Sequence, residues 1–153
     1  MEVRLAAFDD IESICRLYDE FFAYNANLQP KYWNAGKEHG DYSKSIIKDG
    51  NFDLFVAAED DKVIGLLHIK KMKTPPYDAY VPHEYAEIVD LITTAACRKK
   101  GAGSVLMAEA KQWAEARNLN YIELTVLSDA KDAIRFYEKK DFITVSHTMR
   151  NPL

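Results

Sequence analysis

The stretch ITTAACRKKGAGSVLMAEA, residues 92–110, places three cations, Arg98, Lys99 and Lys100, where a helix begins. From Ala102 the apolar positions Ala102, Leu106, Ala110 and Trp113 recur at helical spacing, so the peptide dipoles make this end of the helix partially positive. Cations at that end cost about 0.3–1 kcal/mol each. No Asp or Glu occurs between Thr93 and Ala108 to offset them. A locally unfavourable choice of this kind marks a site more often than a defect. Gly101 and Gly103 flank Ala102, and their missing side chains let backbone N–H groups approach an anion closely. With the three cations as countercharge, the segment suits a di- or polyphosphate. The plainer alternative is a solvated basic loop turned by glycines, because short Gly motifs are weak signals.

Outward from this segment, residues 88–93 form a strand rich in β-branched side chains. After the helix come a predicted strand at 121–127 (YIELTVL), a helix at 129–139 and a final strand at 142–149. Before it, residues 2–6 read as a short strand, followed by an amphipathic helix with Ile11, Ile14, Tyr18 and Phe21 on one stripe. Asp9 and Glu12 have capping-box spacing. Residues 41–48 suit a second, shorter helix. Residues 52–58 and 63–72, separated by the polar turn EDDK, predict an antiparallel hairpin. Residues 74–85 are an irregular loop. This order predicts an α+β domain, a mixed sheet with strand–helix–strand units in its second half.

At 153 residues the chain suits one domain, 1–153, with a real core. A net charge of −4 argues against a general nucleic-acid binder, which needs a broad basic face. The N-terminal segment lacks an apolar signal core and no apolar run approaches the roughly 18–20 residues that span a bilayer, so no membrane partner is expected. Cys15 and Cys97 form no CxxC, which suits a reducing, cytoplasmic setting. HEYAE at 83–87 lacks the second His of HExxH and no other ligand spacing occurs, so no metal site is expected. The P-loop pattern is absent. A Rossmann GxGxxG would need Gly at Leu106, although Glu123 stands where a ribose-binding acid would.

From Tyr85 to Phe142 the chain resembles the GCN5-related N-acetyltransferases (GNAT family). Their signature [RQ]-x-x-G-x-[GA] reads here Arg98-Lys99-Lys100-Gly101-Ala102-Gly103, and AIRFYEKKDF matches their helix ending in FYEKxGF. The resemblance implies a GNAT-like α+β (mixed α/β) fold, with a mostly antiparallel mixed sheet of six to seven strands flanked by about four helices. It implies acetyl-CoA as cosubstrate and no metal. The CoA pyrophosphate would be held by backbone amides of Lys99, Lys100, Gly101, Ala102, Gly103 and Ser104, with Arg98 nearby. Leu91, Ile92 and Thr93 would lie on a bulged strand that pairs with pantetheine and polarises the thioester carbonyl.

The resemblance also puts Tyr137 where a hydroxyl protonates the departing thiolate; from periodicity alone Tyr137 is a core aromatic. Glu87, 11 residues before Arg98, takes the place of the general base that an ammonium acceptor requires. It also reads as a solvated strand-edge carboxylate, and many relatives use a water chain instead. His83, Tyr85 and Asp90 are weaker substitutes, Asp90 facing away from Glu87 in a regular strand. Ala130 and Asp141 depart from the family's usual Asn and Gly. Tyr24, Tyr32, Trp33, Tyr77, Tyr80 and Tyr85 fall in the two regions that wall the acceptor site. The expected function is acetyl transfer from acetyl-CoA to a primary amine by direct attack; the alternatives are a CoA-binding regulatory module without turnover and another class of nucleotide-binding domain. An exposed final strand could pair two copies into a homodimer.

Overall fold

The computed structural model describes residues 1–35, 44–46 and 52–153. Its sheet is built on the hairpin of β2 (Phe52–Glu59) and β3 (Lys62–Lys73). Asp60 and Asp61 connect them with φ of 49° and 61°, a two-residue turn whose left-handed backbone matches the twist of the strands. β1 (Glu2–Leu5) pairs antiparallel with β2, β4 (Glu84–Thr93) antiparallel with β3, and β5 (Ile122–Leu124) parallel with β4, in the order β1-β2-β3-β4-β5.

Each face of the sheet is covered. Ile14, Leu17 and Tyr18 of α1 (Ile11–Leu28) pack on Leu54, Val56, Leu66 and Ile92. Leu106, Ala110 and Trp113 of α2 (Ala102–Ala116) pack on Phe55, Ala57, Leu67, Ile69, Ala86 and Ile88. Alternate residues of the same strands thus feed the two cores, which explains why β2 and β3 read as continuous apolar runs. A shorter helix, α3 (Lys131–Glu138), follows β5.

The start of α1 differs from the expected Asp9–Glu12 box. A turn of 3-10 helix, Phe8–Asp10, precedes it. Asp10 supplies the carboxylate there, accepting the Ala7 N–H at 2.7 Å and both Arg4 guanidinium nitrogens at 2.7 and 2.9 Å. The Arg4 hydrogen bond outweighs burial and holds the Asp10 carboxyl below its ordinary range. A depressed folded-state value contributes stability above the unfolded value, near 3.9, and loses it as pH falls through the folded one. Asp10→Asn should therefore lower stability by about 1–2 kcal/mol at neutral pH, since Arg4 is partly exposed. The gap between variant and wild type should close below about pH 4, which urea titrations at several pH values would measure.

Other boundaries moved for identifiable reasons. β4 begins at Glu84, four residues before the predicted start at 88, because the polar members of its alternation, Tyr85 and Glu87, hide the pattern. Residues 44–46 are helical and Ile46 is buried, whereas the rest of the predicted 41–48 helix lies outside the described residues. The sheet has five strands among the described residues, not six to seven. Residues 142–149, the predicted final strand, are in no sheet. From Ile143 on, they make no backbone hydrogen bond among the described residues.

Candidate active site

Two irregularities of β4 coincide. Opposite β3, His68 pairs with Asp90 and Ile69 with Ile88, so Val89 is an extra, bulged residue. On its other side β4 pairs with β5 only through Ala86, Glu87 and Ile88. From Val89 to Thr93 the β4 edge that faces β5 therefore carries no strand. This leaves backbone N–H and C=O groups available to a ligand, and Leu91, Ile92 and Thr93 lie within that open edge.

The bulge also decides which side chains meet. It brings Asp90 onto the α1 face with Glu87, where a regular strand would separate them. Tyr18 donates its hydroxyl to Asp90 at 2.8 Å, and His68 Nδ1 stands 3.3 Å from the same carboxylate oxygen. His68 is buried, edge-on to Phe52 at 4.3 Å, and its Nε2 has no hydrogen-bond partner among the described residues. Glu87 is in the strand interior and forms an ion pair with Lys70 at 3.0 Å. Across the parallel ladder Glu87 faces Glu123.

The basic segment forms a loop between β4 and α2. A 3-10 turn, Ala95–Cys97, leads into it. Lys99 (φ 65°) and Gly101 (φ 95°) are left-handed. The N–H groups of Lys99, Gly101, Ala102 and Gly103 have no backbone acceptor among the described residues, whereas Lys100 N–H bonds to Cys97 O (3.3 Å) and Ser104 N–H to Gly101 O (2.9 Å). Of the six expected amide donors, four are thus free. Arg98, Lys99 and Lys100 are exposed and make no ion pair among the described residues. Four N–H groups without a backbone acceptor beside three cations without an ion pair, among the described residues, fit a polyphosphate.

Glu20, which carried no sequence signal, anchors this loop to α1. Its carboxylate accepts the Thr94 hydroxyl and the Ala95 N–H, each at 2.8 Å. One helical turn on, the Tyr24 ring lies 5.3 Å from the Arg98 guanidinium carbon. Only the tertiary fold brings residues 20 and 24 to residues 94–98.

Gly103 also lies close against α3. A Cβ there would stand 3.3 Å from Phe136 Cζ, so α3 rests on the first turn of α2. This contact sets the position of Tyr137, whose ring lies 5.7 Å from Phe142. The Tyr137 hydroxyl has no hydrogen-bond partner among the described residues. Burial first, then the negative charge of Asp90, pushes its pKa up to about 12. The phenol is therefore neutral and bears its proton at physiological pH. Ala130 caps no helix with its side chain; Gln29 instead ties the region to α1 through Asp129 at 2.8 Å. Asp141 adopts φ 66°, so the turn keeps the left-handed geometry for which glycine is usual.

The six expected aromatics do not form one wall. Tyr24 serves the basic loop, Trp33 packs toward Phe22 at 6.2 Å, Tyr32 lies under Arg150 at 3.9 Å, and Tyr77 and Tyr80 are exposed. Tyr85 stacks on Tyr121 at 5.0 Å, and the Tyr121 hydroxyl and His83 Nε2 are 2.8 Å apart. Burial first, then Glu123, Tyr121 and Glu87, raises the Tyr85 pKa. An aromatic and acidic strip thus leads along the β4 and β5 faces to the bulge. Among the described residues no group of three His, Cys, Asp or Glu could hold a metal, and no helix is long and apolar enough to cross a membrane.

The structure combines an α+β fold, a bulged inner strand whose ladder to β5 ends at Ile88, and a basic loop with unpaired amides at a helix start. The chain belongs to the acetyltransferase (GNAT) family, whose family model matches residues 11–142. It is 41% identical over 71 residues to the uncharacterized N-acetyltransferase YhdJ of Bacillus subtilis, a match covering 46% of this chain and 50% of that protein. It is 26% identical over 141 residues to an uncharacterized N-acetyltransferase of Archaeoglobus fulgidus, covering 92% of both. A mutant of the BH1408 protein from Bacillus halodurans has a similar fold, with a TM-score of 0.93 at 20% identity over 100% of this chain and 99% of that one.

Proposed function

We propose that the protein transfers an acetyl group from acetyl-CoA to a primary amine by direct attack within a ternary complex. The observation that carries this reading is that, among the described residues, four amides without a backbone acceptor and three cations without an ion pair lie at 98–103 beside the open β4 edge at 89–93. Acetyl-CoA would supply the activated thioester. Lys99, Gly101, Ala102 and Gly103 bind the pyrophosphate through their N–H groups, and Arg98, Lys99 and Lys100 neutralise it. Leu91 and Thr93 offer main-chain hydrogen bonds to pantetheine, while the register that pairs Thr94 N–H with Ile64 O turns the main-chain groups of Ile92 toward Leu66 on β3, and one N–H of that edge polarises the thioester carbonyl. Tyr137 holds a proton for the departing sulfur. A cationic acceptor fits the strip of Glu87, Glu123, Tyr85 and Tyr121. The free thiols Cys15 and Cys97 suit a reducing cytoplasm.

Glu87 takes the proton of the ammonium acceptor, directly or through water. The Tyr18 and His68 contacts to Asp90 favour that carboxylate as the second reading for the same role. Glu87→Gln should lower kcat about 10²-fold near neutrality. It should recover as pH rises and the amine arrives already deprotonated. If Asp90→Asn shows that pattern and Glu87→Gln does not, Asp90 is the base.

A thermal melt with acetyl-CoA, CoA, NAD and ATP tests the reading at its root, since a ligand of the native state raises stability by mass action. A shift with the two CoA forms alone, followed by thiol release with an amine panel, is the expected result. A shift without thiol release for any amine would favour a CoA-binding module. No shift with either CoA form would overturn the assignment.

A further inference from the structure

Glu20 puts a negative charge where electrostatics alone would not. Its carboxylate, on α1, accepts the Thr94 hydroxyl and the Ala95 N–H, each at 2.8 Å. Ala95 stands three residues before Arg98, the first of the three cations in a segment otherwise free of Asp and Glu. A carboxylate beside an anion site repels the incoming phosphates and gives up part of its own hydration. Some other effect must outweigh that repulsion.

The hydrogen bonds around Thr94 identify it. β4 ends at Thr93, and the last main-chain bond to β3 runs from Thr94 N–H to Ile64 O at 3.0 Å. Beyond that point Ala95, Ala96, Arg98, Lys99 and Lys100 are exposed, so the core holds little of the turn apart from Cys97. The turn is instead a series of short-range bonds. Thr94 O accepts the Cys97 N–H at 3.0 Å, Ala95 O the Arg98 N–H at 3.4 Å, and Cys97 O the Lys100 N–H at 3.3 Å. The series begins at the two residues that Glu20 grips, and it ends among the amides of Lys99, Gly101, Ala102 and Gly103. Tyr24, four residues after Glu20 and so on the same face of α1, meets the loop again at Arg98, 5.3 Å from ring centre to guanidinium carbon. Ile14, Leu17 and Tyr18 bury α1 against the sheet, which makes the helix a fixed reference for both contacts.

We propose that Glu20 is a positioning residue for the cofactor. It locks residues 94–98 against α1, and so holds the amides at 99–103 in the arrangement that receives a pyrophosphate before the pyrophosphate arrives. Glu20 acts through the backbone and touches no phosphate. The inference rests on the CoA reading above and adds to it a residue outside the loop.

The two effects of the carboxylate have opposite signs, which makes the test decisive. Titration calorimetry of CoA into the full chain should show Glu20→Ala raising the dissociation constant about tenfold, where relief of repulsion would lower it. Thr94→Val removes one of the two bonds and should weaken CoA by less. The double variant should bind no more weakly than Glu20→Ala alone, because both changes break one contact. Glu20→Gln keeps an accepting oxygen and should recover part of the loss. With an amine that turns over, the KM for acetyl-CoA should rise by the same factor while kcat at saturation stays unchanged. Circular dichroism verifies the fold, and if Glu20→Ala fails to fold, Glu20→Gln and Thr94→Val carry the same comparison. A wild-type chain that does not bind CoA would overturn the proposed function and this inference with it. A wild-type chain that binds CoA no better than the variants, or less tightly than Glu20→Ala, would overturn the positioning role alone. A fall in kcat as large as the rise in KM would also overturn it, since Glu20 would then support the whole site rather than the phosphate loop.

Discussion

Tyr137→Phe should reduce acetyl transfer about 10²–10⁴-fold while leaving the acetyl-CoA-induced rise in melting temperature unchanged. The substitution keeps the ring that packs on Phe136 and Phe142. It orphans no other group, because the Tyr137 hydroxyl has no partner among the described residues. Stability should therefore change by less than about 0.5 kcal/mol. What disappears is a proton-bearing donor. With its pKa pushed up to about 12 by burial and then Asp90, the phenol is a weaker acid than a thiol of about 8.5. Complete transfer to a free thiolate is uphill, so the hydroxyl acts by hydrogen-bonding the sulfur as its negative charge develops. Steady-state kinetics beside melting curves separate the two roles. Full turnover in the variant would reduce Tyr137 to a packing residue, with water protonating the thiolate.

The double variant Lys99→Ala/Lys100→Ala carries an expectation of opposite signs. In the free protein both cations oppose the dipole of α2, so their removal should raise stability by about 0.3–1 kcal/mol each. With CoA present the same removal deletes two charge-assisted contacts. Allowing for screening at exposed side chains, about 1.4 kcal/mol each corresponds to roughly tenfold apiece, so affinity should fall about 10²-fold. Melting temperature without ligand should rise as the CoA-dependent shift shrinks. Arg98 is kept in this test because its contact with Tyr24 gives it a packing role. A variant that is less stable without ligand and binds CoA normally would mean that the lysines serve the fold, and the phosphate reading of the loop would fall.

The sequence by itself determined the parts whose cause is local. The EDDK turn between two apolar runs gives the hairpin, the helical spacing from Ala102 gives α2, and the glycines between cations give the anion loop. Each is settled by neighbours a few residues apart, through turn geometry, periodicity or charge. Tertiary structure alone decided what depends on register. The family resemblance implied a bulge in this strand, but nothing in YAEIVDLIT says which residue is extra: it is Val89, which turns Asp90 to the face of Glu87 and coincides with the end of the β5 ladder. Glu20 and Tyr24 reach the loop only because α1 crosses the end of β4. The alternation at 143–149 was legible as a strand, but a strand needs a partner edge. Among the described residues no edge pairs with it, since hydrogen bonds between strands are made by whichever backbones meet in space.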